Sequence, residues 1–146
     1  MWTTWLHLIV VHVPVVFSPL ALFFLVRAMR SKAIPDYQLA YSFVIIAALT
    51  SAAAYFTGPG AADWLSEILT LEQNLLEDHA LWGRVAFTVM LIAGVMALMA
   101  ILAYFQEETP HPALSWGIAV LIFISSLMLI WTAHLGGLLR RPELVF

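Results

Sequence analysis

Four long stretches of this chain contain no Asp, Glu, Lys or Arg, and they constrain the fold more than any other feature. They cover residues 1–26, 37–62, 85–106 and 109–139. A helix needs about 20 apolar residues to cross the hydrocarbon of a bilayer, so each stretch is long enough. The chain is 63% hydrophobic and 10% charged, whereas soluble domains carry about 25% charged residues. The sequence therefore predicts an integral membrane protein with four transmembrane helices.

The predicted architecture is all-α: a single domain over residues 1–146 that forms an up-down-up-down four-helix bundle. The expected spans are about 5–27, 39–57, 79–105 and 113–136. Residues 57–60, Thr-Gly-Pro-Gly, are expected to end the second span because Gly and Pro break helices. Apolar residues in 61–78 approximate helical spacing. They predict an amphipathic helix on the membrane surface between the second and third spans.

The basic residues Arg27, Arg30 and Lys32 follow the first span and predict its orientation. Cytoplasmic loops carry an excess of Lys and Arg, which places this loop inside and both termini outside. In a bacterium, that is the inner membrane with both termini in the periplasm. Arg140 and Arg141 weigh only weakly against this orientation, because they follow the last span.

Five acidic residues and no basic residue occupy the predicted outer loop: Asp63, Glu67, Glu72, Glu77 and Asp78. One interpretation is an ordinary solvated face. The other is a docking patch for a cationic partner such as a soluble c-type cytochrome, because complementary charge steers the encounter of two proteins.

The chain has no cysteine, which excludes disulfides, thiolate iron–sulfur clusters, blue-copper sites and covalently attached c-type haem. Any cofactor must be held by His, Met, carboxylate or backbone groups. The sequence also has no phosphate-binding loop, no nucleophile and base at motif spacing, and no basic nucleic-acid footprint. Neither a nucleic-acid partner nor standalone enzyme activity is expected.

Four of the five histidines fall at one end of the predicted bundle: His7, His12, His79 and His134. This follows from four consecutive crossings, whichever way the protein is inserted. Ionisable groups within spans are costly and usually face the bundle interior. The fifth histidine, His111, lies between two prolines and is expected in an exposed loop.

Helix geometry separates the two histidines of the first span. At about 1.5 Å per residue, His12 lies about 10 Å below Trp5, while His7 lies only about 3 Å below it. At about 100° per residue the two side chains point about 140° apart, so they do not suit one small ion. His12, deeper and beside the bend expected at Pro14, is the preferred axial ligand.

Neutral imidazole is a common ligand of haem and transition metals. We therefore predict a b-type haem protein in which His12 pairs with His79 or His134, and His7 with the remaining histidine holds a second haem if there is one. Arg84 is expected to pair with a haem propionate or with Glu77 or Asp78. The predicted function is electron transfer within a membrane redox complex, with quinol as a plausible donor.

Two other functions fit the sequence. The histidines together with Glu77 or Asp78 suit a non-haem copper, zinc or iron site. Alternatively, the chain is a structural or assembly subunit of a larger respiratory or redox complex, in which the histidines serve packing or proton relay.

Small residues mark two further segments. Residues 47–54 predict either close helix packing, the favoured interpretation, or room for a flat cofactor. Gly136 and Gly137 are expected either to stop the last helix or to allow another group to approach it closely.

The histidine motifs resemble those of a bacterial four-helix inner-membrane family of unknown function. Its opening pattern, approximately His-Pro-x-x-x-His-Phe-Pro, is matched by residues 7–14 with two residues changed. A His followed by Gly matches residues 79–83, and Thr-Gly-His-x-Gly-Gly matches residues 132–137. The family often continues to a further His-Gly, which is absent here. The resemblance implies that the four histidines are the functional positions, and some members look like partners of cytochromes.

Overall fold

A computed structural model describes residues 2–141, and within them the chain forms five helices and no strand. The helices are α1 (Trp2–Val10), α2 (His12–Ser31), α3 (Ile34–Ser66), α4 (Gln73–Phe105) and α5 (Pro112–Arg140). The all-α prediction is confirmed. The two extremities of the predicted domain, Met1 and residues 142–146, lie outside the described residues.

The first span consists of α1 and α2, which are separated by a break at Val11. Pro14 causes this break, because it has no N–H for the carbonyl of Val10 and its ring crowds that carbonyl. The Val11 N–H still donates to the His7 carbonyl at 3.0 Å, so the chain bends without unwinding. The four resulting spans are each long and apolar enough to cross a membrane. The chain is therefore a multi-pass membrane protein.

The spans form a closed ring in which α2 packs on α3, α3 on α4, α4 on α5, and α5 on α2. Consecutive helices run in opposite directions, which gives the predicted up-down-up-down bundle. The short helix α1 departs from this ring and packs chiefly against the last part of α3. We call the end of the bundle that contains α1 and the start of α4 the histidine end.

The interior is built mainly from small residues, as expected where lipid gives no hydrophobic drive for helix association. Near the middle, α3 and α4 approach so closely that a Cβ added to Gly94 would lie 2.5 Å from the Ala48 Cβ. The Ser125 hydroxyl of α5 donates to the Ala86 carbonyl of α4 at 3.1 Å. The close-packing interpretation of residues 47–54 is thus confirmed at Ala48.

At the opposite end of the bundle, which we call the basic end, the connection between α2 and α3 differs from the prediction. Arg27 and Arg30 belong to the last turns of α2 and not to a loop. Only two residues separate α2 from α3, and Lys32 takes a left-handed conformation with φ of 59°. Arg27 approaches Asp36 at 3.7 Å across this tight turn. The helix continues past the predicted end because nothing before Lys32 interrupts it.

The predicted amphipathic surface helix is wrong, because no separate helix lies between α3 and α4 in the described chain. Instead α3 runs through Pro59 to Ser66, and α4 begins at Gln73. Packing of α1 explains the continuation past residues 57–60. A Cβ on Gly60 would meet the Thr3 hydroxyl at 3.1 Å, so α1 lies directly on this part of α3. Such tertiary contacts override the weak helix propensity of Gly and Pro.

The last helix also extends beyond its predicted end, through Gly136 and Gly137 to Arg140. Of the two roles proposed for these glycines, only the close approach is observed, at Gly136. The predicted start of this span and the predicted end of the third span agree with the structure to within one residue. His111 lies just before α5, as the loop prediction requires, and its Nδ1 accepts the Ala113 N–H at 3.2 Å.

Helices α3 and α4 are longer than a bilayer requires. Each has 33 residues, about 50 Å at 1.5 Å per residue, whereas the hydrocarbon is about 30 Å thick. The charge-free part of α4 lies between Arg84 and the helix end and is about 32 Å long. That length matches the hydrocarbon, so we expect Arg84 near the membrane surface. By the same measure, we expect the part of α4 before Arg84, together with the end of α3, to project from the membrane at the histidine end.

The Gly94 contact gives a stability prediction. Gly94→Ala is expected to force α3 and α4 apart and to lower the free energy of unfolding by about 1–3 kcal/mol, as overpacking does. Gly137→Ala is the matched control, because a Cβ there meets nothing within 4 Å. Its gain in helix propensity is expected to leave stability unchanged or raise it by up to about 1 kcal/mol. Detergent unfolding followed by circular dichroism measures both; equal effects would contradict the packing argument.

Candidate cofactor site

The His7 imidazole points from α1 into the bundle and is held by α3. Its Nδ1 lies 2.9 Å from the Ala54 carbonyl oxygen and 3.2 Å from the Thr57 hydroxyl. The Thr57 hydroxyl itself donates to the Ala53 carbonyl at 2.7 Å, which leaves its oxygen free to accept. Gly58 lies beside the ring, where a Cβ would be 3.5 Å from the His7 Cε1. The ring is half-buried and fixed in orientation.

The His79 imidazole is held in the same manner by a different pair of helices. It projects from α4, and its Nδ1 lies 3.0 Å from the Thr132 carbonyl oxygen of α5. The Thr132 hydroxyl donates its own hydrogen bond to the Met128 carbonyl at 2.8 Å. A Cβ on Gly136 would lie 3.0 Å from the His79 Cε1, so any larger residue would push the ring away from α5 by a few tenths of an ångström.

These contacts assign the same tautomer to both rings. A carbonyl oxygen can only accept a hydrogen bond, so Nδ1 must carry the proton in His7 and in His79. In the neutral imidazole, Nε2 then keeps its lone pair. Metal-binding histidines commonly show this arrangement, because a hydrogen bond from one ring nitrogen orients the other toward the metal. Both rings lie at the histidine end of the bundle, one on α1 and one on α4.

A third polar group belongs to this region. Thr4 lies three positions before His7 and therefore on the same face of α1. Its buried hydroxyl has no hydrogen-bond partner within residues 2–141. A buried hydroxyl without a partner is costly. The interior beside His7 thus offers a polar contact to a bound group, in addition to two imidazole nitrogens.

The other predicted site residues face outward. His12, His134 and Arg84 are all exposed on the surface of the single chain. The His134 ring lies 5.5 Å from the ring of Trp131, which is itself exposed. Across the described chain, Arg84 forms no ion pair with Glu77 or Asp78.

All four histidines lie at the same end of the bundle, as predicted, but they do not form one cluster. No group of three or more His, Asp or Glu side chains able to hold a metal occurs within residues 2–141. The structure favours His7 with His79 as the inward pair, whereas the sequence favoured His12 on account of its depth. The side chains of His7 and His12 point about 140° apart around the helix axis. Because His7 contacts α3, His12 faces outward and does not join the inward pair.

Sequence reasoning missed the groups that hold the two rings. Two of them are backbone carbonyls, those of Ala54 and Thr132, and no residue type marks a carbonyl. Gly58 and Gly136 carry a readable signal, because a glycine kept within a helix indicates close approach. At Gly58 that signal was interpreted as a helix end.

The chain matches no protein-family model, no curated protein and no solved structure. The resemblance to the four-helix inner-membrane family therefore stays a prediction that rests on the histidine motifs.

The tautomer assignment can be tested in the purified protein at pH 8 by ¹⁵N NMR of its histidine rings. His7 and His79 are expected to carry the proton on Nδ1. His111 is an internal control with the opposite assignment: its Nδ1 accepts the Ala113 N–H, so its proton must be on Nε2. Single His→Gln variants assign the signals. Protonated Nε2 in His7 and His79 would contradict the site geometry.

Proposed function

We propose that this protein is a membrane b-type cytochrome subunit, in which His7 and His79 hold one haem b at the histidine end of the bundle. The observation that carries the proposal is the pair of inward-facing rings, each with its Nδ1 bonded to a carbonyl of a neighbouring helix. That geometry leaves two Nε2 lone pairs for a metal. Two imidazoles from different helices are the ligand set of a bis-histidine haem.

The residues around the pair fit such a group in three respects. Small residues, Gly58 and Gly136, border the two rings. The buried Thr4 hydroxyl, which has no partner among residues 2–141, offers a hydrogen bond to a polar substituent. The chain has no cysteine and therefore no competing thiolate ligand, and the Nδ1 hydrogen bonds make both imidazoles better electron donors to iron. A haem bound here would supply one-electron transfer.

A non-haem site is less well supported. Structural and catalytic zinc sites use three or four protein ligands, and other non-haem sites combine imidazole with carboxylate. Within the part of the chain that the structure describes, no such group of three is present. Haem needs only two axial ligands from the protein, which is the number that the inward-facing pair provides.

The chain's own residues have two tasks in electron transfer. His7 and His79 fix the redox group near the membrane surface, within reach of a quinol in the bilayer and of a soluble protein outside it. The exposed acidic residues on the projecting ends of α3 and α4 then attract the soluble partner. This assignment places the histidine end in the periplasm of a bacterium, in agreement with the basic residues at the opposite end.

The ligand assignment predicts loss of haem in His7→Ala and His79→Ala. Wild-type protein purified from a haem-sufficient host is expected to show a b-type reduced-minus-oxidised spectrum and about one haem per chain by pyridine haemochrome assay. Each variant is expected to lose most of it, because one axial ligand is removed. His111→Ala, at the basic end, is the control and should keep full haem content.

Circular dichroism and membrane insertion of the same variants separate ligand loss from misfolding. A wild-type protein without haem overturns the proposal. Unchanged haem in both folded variants rejects the ligand pair. Unchanged cofactor content after replacement of all four histidines of the histidine end supports an assembly subunit instead.

If the acidic residues dock a cationic soluble cytochrome, the rate at which this protein reduces that cytochrome depends on ionic strength and on the charge of these residues. Reduction of a cationic soluble cytochrome is expected to slow as ionic strength rises, because salt screens the steering field. Glu67→Lys with Glu72→Lys should slow it about tenfold at low salt. The matched control is Glu107→Lys with Glu108→Lys at the basic end, where the same charge change should have little effect. Equal slowing by both pairs would exclude a docking patch.

A further inference from the structure

His12 is the one ionisable residue on an otherwise apolar outer face. One helical turn before it and one after it lie Ile9 and Val16, which are 65% and 52% exposed. The same face continues along α2 through Leu20 and Phe23, both exposed. Residues spaced by three or four share a helix face, so the side chains of α2 among these form a single stripe, the His12 face. The exposed Ile9 of α1 precedes this stripe across the break at Val11.

This histidine lies within the hydrocarbon. Arg27 marks the membrane surface at the basic end, where it approaches Asp36 in the turn between α2 and α3. His12 is about 22 Å from Arg27 along the helix, and the hydrocarbon is about 30 Å thick. Its ring is thus roughly 8 Å below the opposite surface. None of the hydrogen bonds among residues 2–141 involves the ring.

A polar group at this depth requires a partner, because hydrocarbon offers no hydrogen bonds. Histidine within membranes commonly bonds across to another helix. The neighbouring face must therefore be apolar and must present one polar group at the same depth as His12.

A second copy of this chain meets that requirement. Two copies inserted in the same direction are related by a twofold axis along the membrane normal, which keeps the two His12 residues at equal depth. Such an interface places the same patch on both sides. A neutral imidazole has one donor and one acceptor nitrogen and therefore complements itself. The exposed Arg84 does not suit such a symmetric interface, because its positive charge would meet the positive charge of the second copy.

We propose that the His12 face is a homodimer interface, in which the imidazoles of two copies hydrogen-bond to each other across the twofold axis and Ile9 and Val16 pack around them. The interface needs no cofactor. It also explains why His12, an ionisable residue that is not part of the proposed ligand pair, lies on a lipid-facing stripe.

Single-cysteine variants test the interface directly, because the chain has no cysteine of its own. Val16→Cys, reconstituted in lipid vesicles and treated with a short membrane-permeant thiol crosslinker, is expected to give a product of two chains. Val95→Cys on α4 is the matched control, since Val95 and Val16 have the same 52% exposure. It should give only the weak crosslinking of random collision, which falls as lipid is added.

The role of the imidazole is tested in the Val16→Cys background. His12→Leu is expected to weaken dimerisation about three- to tenfold across a lipid dilution series, which is the range for one interhelical hydrogen bond in a membrane. His12→Asn keeps a donor and an acceptor and should restore it, while His134→Leu should have no effect.

Equal crosslinking at Val16→Cys and Val95→Cys overturns the dimer. Dimerisation at Val16→Cys that His12→Leu leaves unchanged overturns the imidazole pair. Crosslinking in native membranes to a chain of another mass assigns the face to a different subunit and rejects the proposal. None of these measurements depends on haem content, so they can fail or succeed separately from the proposed function.

Discussion

The hydrogen-bond demand of polar groups buried between helices governs this structure. Such groups lose contact with water, so a partner elsewhere on the protein stabilises them. The hydroxyl groups of Thr57 and Thr132 meet the demand within their own helices. The two inward-facing histidines meet it between helices, through carbonyls of α3 and α5. The same requirement that stabilises the bundle therefore also sets the direction of the two imidazoles.

Small residues make these contacts possible. Ala48 and Gly94 allow α3 and α4 to approach closely, and Gly136 allows the His79 ring to rest against α5. A larger side chain at Gly136 would push the His79 ring away from α5 and lengthen its hydrogen bond to the Thr132 carbonyl. Helix packing and ring orientation are thus coupled at the histidine end. A defect in helix packing is consequently a route to loss of the site without any change in its ligands.

The fold could be predicted well from the sequence, because the absence of charge over a span is a direct response to lipid. The helix ends could not. Pro59 removes one hydrogen bond, but the contact of Thr3 with Gly60 stabilises the helix beyond it, and such a contact is invisible to local propensity.

The candidate site was predictable only in part. The histidines and their common end follow from topology. Their directions depend on how the two parts of the first span rotate about Val11, a rotation that only packing determines. His12 accordingly ranked above His7 in the sequence but faces outward in the structure.

The length of α4 has an electrical consequence. Its first residue, Gln73, lies about 16 Å beyond Arg84 along the helix, and Arg84 is near the membrane surface. Charges in physiological salt are screened over about 8 Å. The headgroup layer extends roughly 6 Å beyond the hydrocarbon, so the acidic turn between α3 and α4 lies about 10 Å from the headgroups, a little over one screening length. The nearby acidic residues of the protein therefore contribute more to the field at this turn than the charge of the lipids does.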